Sequence, residues 1–102
     1  MIGLITEKRD EIAEHCRRLN VRRLDVFGSA ASGDFNLETS DIDFLVEFEN
    51  FNSPGISRRY LDLAESLEAI FDRKVDLVVA RHFENPYFRE SVESSKELIY
   101  AT

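Results

Sequence analysis

Two aspartates one residue apart are the first residues in this chain whose spacing could do chemistry. Asp41 and Asp43 stand at positions i and i+2 of an apolar segment that is typical of a β-strand. Side chains at that spacing point to the same face of a strand, so we expect the two carboxylates to lie side by side. Neighbouring negative charges repel each other unless something positive lies between them. The pair alone is consistent either with a solvated strand face or with a divalent metal site.

A third acid lies in the next predicted strand. Asp76 interrupts the apolar segment 75–79, where it should be buried on a central strand or lie at the strand's beginning beside Asp41 and Asp43. Three carboxylates on neighbouring strand ends form an all-oxygen site suited to Mg²⁺ or Mn²⁺. Two ions that share Asp41 and Asp43 could hold both the attacking and the leaving oxygen of a phosphoryl displacement. The sequence therefore predicts a three-carboxylate metal site.

A glycine-serine turn directly follows the first predicted strand, which covers residues 22–27. Residues 30–32 could then form a single helical turn closed by Gly33. The first amides of such a turn would point beyond Ser29, which is the usual geometry for an anion at a helix N-terminus. A plain turn is the alternative for the dipeptide taken alone. Beside the acids, Gly28 and Ser29 are predicted to hold the triphosphate of a nucleotide.

The remaining elements would position these groups on one small sheet. The patterning predicts strands at 22–27, 41–48 and 75–79, a possible edge strand at 97–101, and helices at 6–19, 54–71 and 86–95. Their predicted helix ends are a Thr6 cap, an Asn20 stop, a Ser53-Pro54 start and an Asn85 cap. Arg58 and Arg59 are predicted on a solvated helix face. The fold class is therefore α/β (α+β), with a mixed sheet of three or four strands packed against helices.

Length and charge limit the class of partner. The 102 residues suit a single domain, 1–102, and they contain no apolar run long enough to span a membrane. The single cysteine, Cys16, is predicted to be an inert helix residue, and one cysteine suits a reducing cytoplasm. The net charge of −7 disfavours direct binding of nucleic acid, which normally needs a basic surface. A metal-chelated anion or a protein with a basic surface is expected instead.

Together these residues resemble a known family. The segment GSAASGDFNLETSDIDFLV resembles the signature of the DNA polymerase β-like nucleotidyltransferase superfamily, which is Gly-Ser, a spacer, Gly, a spacer and Ser-Asp-x-Asp. The chain length and the downstream VDLVV resemble the minimal nucleotidyltransferase (MNT) branch, the antitoxin half of HEPN/MNT toxin–antitoxin pairs. The resemblance covers nearly the whole chain.

The resemblance implies a role for each matching residue. Gly28 and Ser29 would bind nucleotide phosphates, and Ser40, which opens the Asp-x-Asp part of the signature, is assigned to the nucleotide site with them. Asp41 and Asp43 would bind both of two Mg²⁺ ions. Asp76 would bind the catalytic ion and help to activate the acceptor hydroxyl. The implied activity is Mg²⁺-dependent transfer of AMP from ATP to a tyrosine of a HEPN ribonuclease toxin, which neutralises the toxin in the cytoplasm.

One departure and two alternatives accompany this hypothesis. Many relatives carry a basic residue before the second glycine, where this chain has Ser32, and its absence predicts weaker triphosphate binding. The first alternative is a non-catalytic antitoxin whose acidic surface masks a basic ribonuclease. The second is a nucleotidyltransferase for a small molecule, against which the lack of an acceptor-binding domain argues.

Overall fold

The computed structural model describes residues 2–32, 41–80 and 85–102, which form helices around a four-stranded mixed sheet. In chain order the elements are α1 (Gly3–Glu7), α2 (Arg9–Arg18), β1 (Val21–Phe27), α3 (Ser29–Ser32), β2 (Ile42–Phe48), α4 (Ile56–Phe71), β3 (Val75–Val79), α5 (Pro86–Ser95) and β4 (Glu97–Ala101). The strand order is β3-β2-β1-β4. β1 is antiparallel to β2 and β4, whereas β2 and β3 are parallel. The predicted mixed sheet is confirmed, including its fourth strand at the C-terminal edge.

One face of the sheet packs against α2 and α4 and forms the main core. Because side chains alternate along a strand, every second residue of β1 and β2 points into this layer. Its members are apolar and buried, and they include Ile12, Leu24, Val26, Ile42, Phe44, Val46, Leu63 and Leu67. Cys16 lies here as well, and burial raises the pKa of its thiol to about 12, which confirms the predicted inert core residue.

The opposite face of the sheet is covered by α5. A small cluster of Phe27, Leu45 and Val92 fills the contact, and Phe88 of α5 meets Phe27 edge to face with ring centroids 6.2 Å apart. Asn85 caps this helix by accepting hydrogen bonds from the backbone amides at its start, as predicted. Phe27 and Leu45 on this face are buried, whereas Asp43 is partly exposed.

Two predicted helix starts are wrong. Thr6 lies inside α1, where its hydroxyl donates to the carbonyl of Ile2, and a second helix begins at Arg9. The Ser53 hydroxyl donates back to the carbonyl of Asn50 at 2.6 Å, so it closes a turn instead of capping a helix. α4 begins later, at Ile56, after a left-handed Gly55. No helix in the described ranges is long and apolar enough to cross a membrane.

The prediction for Arg59 is also wrong. Its guanidinium donates to the carbonyls of Leu19, Asn20 and Glu49 at 2.7–2.8 Å, so it joins the end of α2 to the turn after β2. The predicted left-handed stop at Asn20 is confirmed, with φ of 55°. Arg58 lies on the exposed helix face, as expected.

Candidate active site

Asp43 and Asp76 meet near the start of β2 and β3, on the partly covered sheet face. The parallel register of β2 and β3 pairs them directly, and their carboxyl groups lie against each other. Burial raises the pKa of Asp43 from 3.8 to about 6, with further increases from the charge and hydrogen bond of Asp76 and from the charge of Asp41. The predicted proximity of these two acids is confirmed.

Asp41 lies immediately before β2 and is exposed. Its charge acts on Asp43, yet the described residues contain no group of three or more His, Cys, Asp or Glu side chains placed to hold a metal ion. The Asp43–Asp76 pair itself is chemically suited to one, because a hard cation would offset the repulsion between the two carboxylates. Thus two of the three predicted ligands are in contact, and the three-carboxylate metal site stays a prediction.

The glycine turn after β1 lies directly against this pair. Gly28 has φ of 70°, and a Cβ added to it would lie 2.6 Å from Oδ2 of Asp43. Only glycine combines that backbone conformation with so close an approach to the carboxylate. Ser29 follows as the first residue of α3. The structure therefore brings the turn at Gly28 against Asp43, one of the two acids that meet there.

A residue that the sequence did not single out holds this turn. The amide of Gly28 donates to Oγ of Ser95 at 3.4 Å, and the Ser95 hydroxyl donates to the carbonyl of Ser91 at 3.1 Å. The C-terminal end of α5 is thereby connected to the end of β1. No sequence signal could have identified Ser95, because a serine 67 residues away carries no spacing information.

A cavity of about 350 Å³ opens beside the carboxylates. Its lining combines the two acids with apolar and aromatic residues: Phe27, Asp43, Tyr60, Val75, Asp76, Leu77, Val78 and Phe88. The Tyr60 hydroxyl donates to the carbonyl of Leu77 at 2.5 Å. The sequence pattern assigned Tyr60 only to a helix stripe, because helical spacing does not show that its ring reaches around the edge of the sheet.

Another acid on the same sheet face is structural. Asp25 is 2% exposed and binds Arg23 through both carboxylate oxygens, at 2.9 and 3.2 Å. The bidentate contact raises the pKa of Arg23. Asp25 thus has a permanent cationic partner on its own strand. Asp43, by contrast, lies against a second acid, Asp76.

Two residues of the sequence motif cannot be placed. Ser40 and Gly33 lie outside the described residues, so their predicted roles stay predictions. The assignments of Gly28 and Ser29 to phosphate, and of Asp41, Asp43 and Asp76 to metal, likewise stay predictions.

The chain matches a family model over most of its length. Residues 9–99 match the family described as nucleotidyltransferase domain. A Methanocaldococcus jannaschii protein provisionally named a protein adenylyltransferase is 39% identical over 100 residues, which cover 94% of this chain and 96% of that protein. The protein adenylyltransferase MntA of Thermococcus cleftensis is 38% identical over 77 residues, or 76% of this chain and 71% of that protein.

Solved structures share the fold. A structure described as a minimal nucleotidyltransferase superposes with a TM-score of 0.75 at 32% identity, covering 94% of this chain and 95% of that one. A toxin–antitoxin structure with AMP-PNP gives a TM-score of 0.71 at 23% identity, covering 92% of this chain and 73% of that one. The second likeness supports the fold alone. The family match and the relatives above 30% identity show that this chain belongs to the nucleotidyltransferase domain family and is a nucleotidyltransferase of its minimal, protein-adenylyltransferase branch.

Proposed function

We propose that this protein is an antitoxin that transfers AMP from ATP to a tyrosine hydroxyl of a HEPN-type toxin and so neutralises it. One observation carries the proposal: the carboxylate of Asp43 touches both Asp76 and the turn at Gly28. In a nucleotide the terminal phosphates and the reacting α-phosphorus lie within a few ångströms of each other. The turn at Gly28 could bind the terminal phosphates while the neighbouring acids lie at the α-phosphorus.

Each residue of the site has a defined part in the transfer. Gly28 and Ser29 would hold the terminal phosphates, while Asp41, Asp43 and Asp76 would hold two Mg²⁺ ions. When bound, Mg²⁺ would neutralise the phosphate charge that the acids otherwise repel. The tyrosine oxygen forms a bond to the α-phosphorus, the bond to the bridging oxygen breaks, and pyrophosphate leaves. Asp76, on the outer side of the pair, would orient the tyrosine hydroxyl and take up its proton.

The relatives indicate which nucleotide and acceptor to test first. The Thermococcus cleftensis relative is named a protein adenylyltransferase, and one structural neighbour was solved with AMP-PNP. Another, with a TM-score of 0.65 at 20% identity, is a Shewanella oneidensis MNT antitoxin in complex with a tri-AMPylated HEPN toxin. These names support ATP as co-substrate and a HEPN-type protein as acceptor for this chain.

A second candidate function is neutralisation by direct binding without catalysis. The net charge of −7 favours it, because an acidic protein can cover the basic surface of a ribonuclease. That activity would need neither ATP nor metal, and it would require one antitoxin for each toxin molecule.

The deciding experiment measures the mass of the toxin. The purified protein is incubated with ATP, Mg²⁺ and the HEPN-type toxin encoded beside it, at a ratio of far less than one antitoxin per toxin. We expect the toxin to gain the mass of one or more AMP groups. Asp41→Asn and Asp76→Asn should slow the transfer on the order of 10³-fold, because each removes charge from the metal site. Asp72→Asn is the matched control, since Asp72 is exposed and has a left-handed backbone that asparagine tolerates.

Two results together would refute catalysis. They are an unmodified toxin after incubation with the wild-type protein, and full neutralisation by the Asp41→Asn and Asp76→Asn variants at equal stoichiometry.

A further inference from the structure

A second, larger cavity lies along the outer edge of β3. Its volume is about 660 Å³, and its lining is mostly apolar. We call it the β3 groove and define it by Ile56, Tyr60 and Leu61 of α4 together with Leu77, Val78 and Val79 of β3. Leu61 is 50% exposed there, which is unusual for a large apolar side chain on a helix that otherwise packs into the core.

The β3 groove is continuous with the active-site cavity. Tyr60, Leu77 and Val78 line both cavities. The hydrogen bond from the Tyr60 hydroxyl to the Leu77 carbonyl fixes the position of the Tyr60 ring where the two cavities meet. A ligand with one group at Asp76 can therefore extend into the groove without leaving the protein surface. This continuity connects the groove to the reaction that we propose above.

The geometry of an in-line displacement places the acceptor on the side of the site where the groove lies. Across the sheet the order is the Gly28 turn at the end of β1, then Asp43, then Asp76 on β3. An in-line displacement places the leaving pyrophosphate and the attacking oxygen on opposite sides of the phosphorus. If the turn holds the leaving phosphates, the attacking hydroxyl arrives over β3. The groove begins at that side of the site.

The main chain of β3 favours an extended occupant. Among the described strands, β3 has a neighbour on one side only. The carbonyl of Lys74 accepts from Ile42 of β2, whereas the carbonyl of Leu77 binds Tyr60. Backbone N–H and C=O groups of successive residues point to opposite sides of a strand. The groups of Val79 therefore point away from β2, as those of Leu77 do. An extended segment could pair there while its side chains enter the apolar groove.

We propose that the β3 groove is the acceptor subsite of this enzyme and binds an extended segment of the partner protein beside the tyrosine to be modified. The occupant would carry apolar side chains next to the tyrosine, to fill the groove, and basic residues flanking them, to complement a chain of net charge −7. The inference rests on the proposed function and specifies how that site selects its acceptor.

The test compares two exposed leucines at opposite edges of the sheet. Leu61→Glu places a charge in the β3 groove, and Leu98→Glu places one at β4, where Leu98 is 39% exposed. We expect Leu61→Glu to lower kcat/KM for AMP transfer to the HEPN-type toxin by at least about tenfold. Its affinity for a fluorescent ATP analogue should stay within about twofold of wild type, since the nucleotide lies on the other side of the site. Leu98→Glu should match wild type in every assay.

A cross-linking experiment tests the same site without loss of function. Because Cys16 is buried with a raised thiol pKa, Leu61→Cys or Leu98→Cys provides one reactive thiol for a benzophenone label. Illumination should join the label at position 61 to a toxin peptide near the modified tyrosine, whereas the label at 98 should not reach it. Transfer by Leu61→Glu at the wild-type rate, or a cross-link only from position 98, would overturn the acceptor subsite. If wild type transfers no AMP at all, the proposed function itself fails.

Discussion

The two faces of the sheet use the same strands for opposite purposes. On the face toward α2 and α4, Val26, Ile42 and Phe44 are fully buried in the apolar core. On the face toward α5, Phe27 and Asp43, which alternate with them, line a cavity, and Asp43 lies against a second acid, Asp76. Burial of apolar side chains on the first face stabilises the fold. That stability allows the second face to retain acids that repel each other.

The acids of the second face show how the difference arises. Asp25 is more deeply buried than Asp43, yet it has a bidentate arginine partner. Asp43 lies against another acid instead, so burial and repulsion raise its pKa to about 6. A buried charge with its partner is structural, whereas a pair that lacks one marks the place where a ligand would relieve the repulsion.

The largest expected effect is a loss of stability from the sheet face that packs against α2 and α4. Phe44→Ala should lower the free energy of unfolding by about 3–5 kcal/mol, because it removes a fully buried ring that stacks on Phe71. Phe88→Ala on the other face should cost only about 1 kcal/mol, since Phe88 is 42% exposed. Urea unfolding of both variants measures the comparison. Equal losses would show that the two faces do not differ in their contribution to stability.

A smaller effect tests the contact between the turn and the acids. Gly28→Ala forces a methyl group to within 2.6 Å of Asp43 at a positive φ, so we expect a loss of about 2 kcal/mol and a strong loss of AMP transfer. Gly55→Ala is the matched control. Gly55 also has a positive φ, 87°, but nothing lies within 4 Å of an added Cβ. Gly55→Ala should lower the free energy of unfolding by about 1 kcal/mol and leave AMP transfer unchanged. Similar activities in the two variants would show that Gly28 serves only its own backbone conformation.

The sequence predicted the sheet because two-residue alternation marks each strand, and it predicted the meeting of Asp43 and Asp76 because both stand near the beginning of a strand. Two-residue periodicity put Leu24 and Val26 on one face, and it put the Asp-x-Asp pair at the start of a strand. Helix starts were predicted less well, since local hydrogen bonds such as that of Ser53 to Asn50 compete with capping. Contacts between distant segments were missed, because the reach of Arg59 to Asn20 and of Tyr60 to Leu77 depends on how α4 packs.

The smallest expected effect concerns pH. In the folded protein the pKa of Asp43 is raised from 3.8 to about 6, so the folded state keeps a proton that the unfolded chain releases. The resulting stabilisation is present below pH 3.8 and is lost as the pH rises through about 6. At neutral pH the ionised pair therefore destabilises the fold. Asp43→Asn, which cannot ionise, should lack this pH dependence.

The stability difference between Asp43→Asn and wild type should therefore grow as the pH rises. We expect the variant to be more stable by about 1 kcal/mol near neutral pH in the presence of a chelator, after allowing for screening of this partly exposed group by water. The advantage should shrink toward zero near pH 4, where both proteins are neutral at this position, while AMP transfer by the variant is lost at every pH. Urea unfolding across this range, with Asp72→Asn as the control, measures the difference. A constant difference would mean that Asp43 has the same pKa in the folded and unfolded states. Its contact with Asp76 would then not lower the free energy of unfolding.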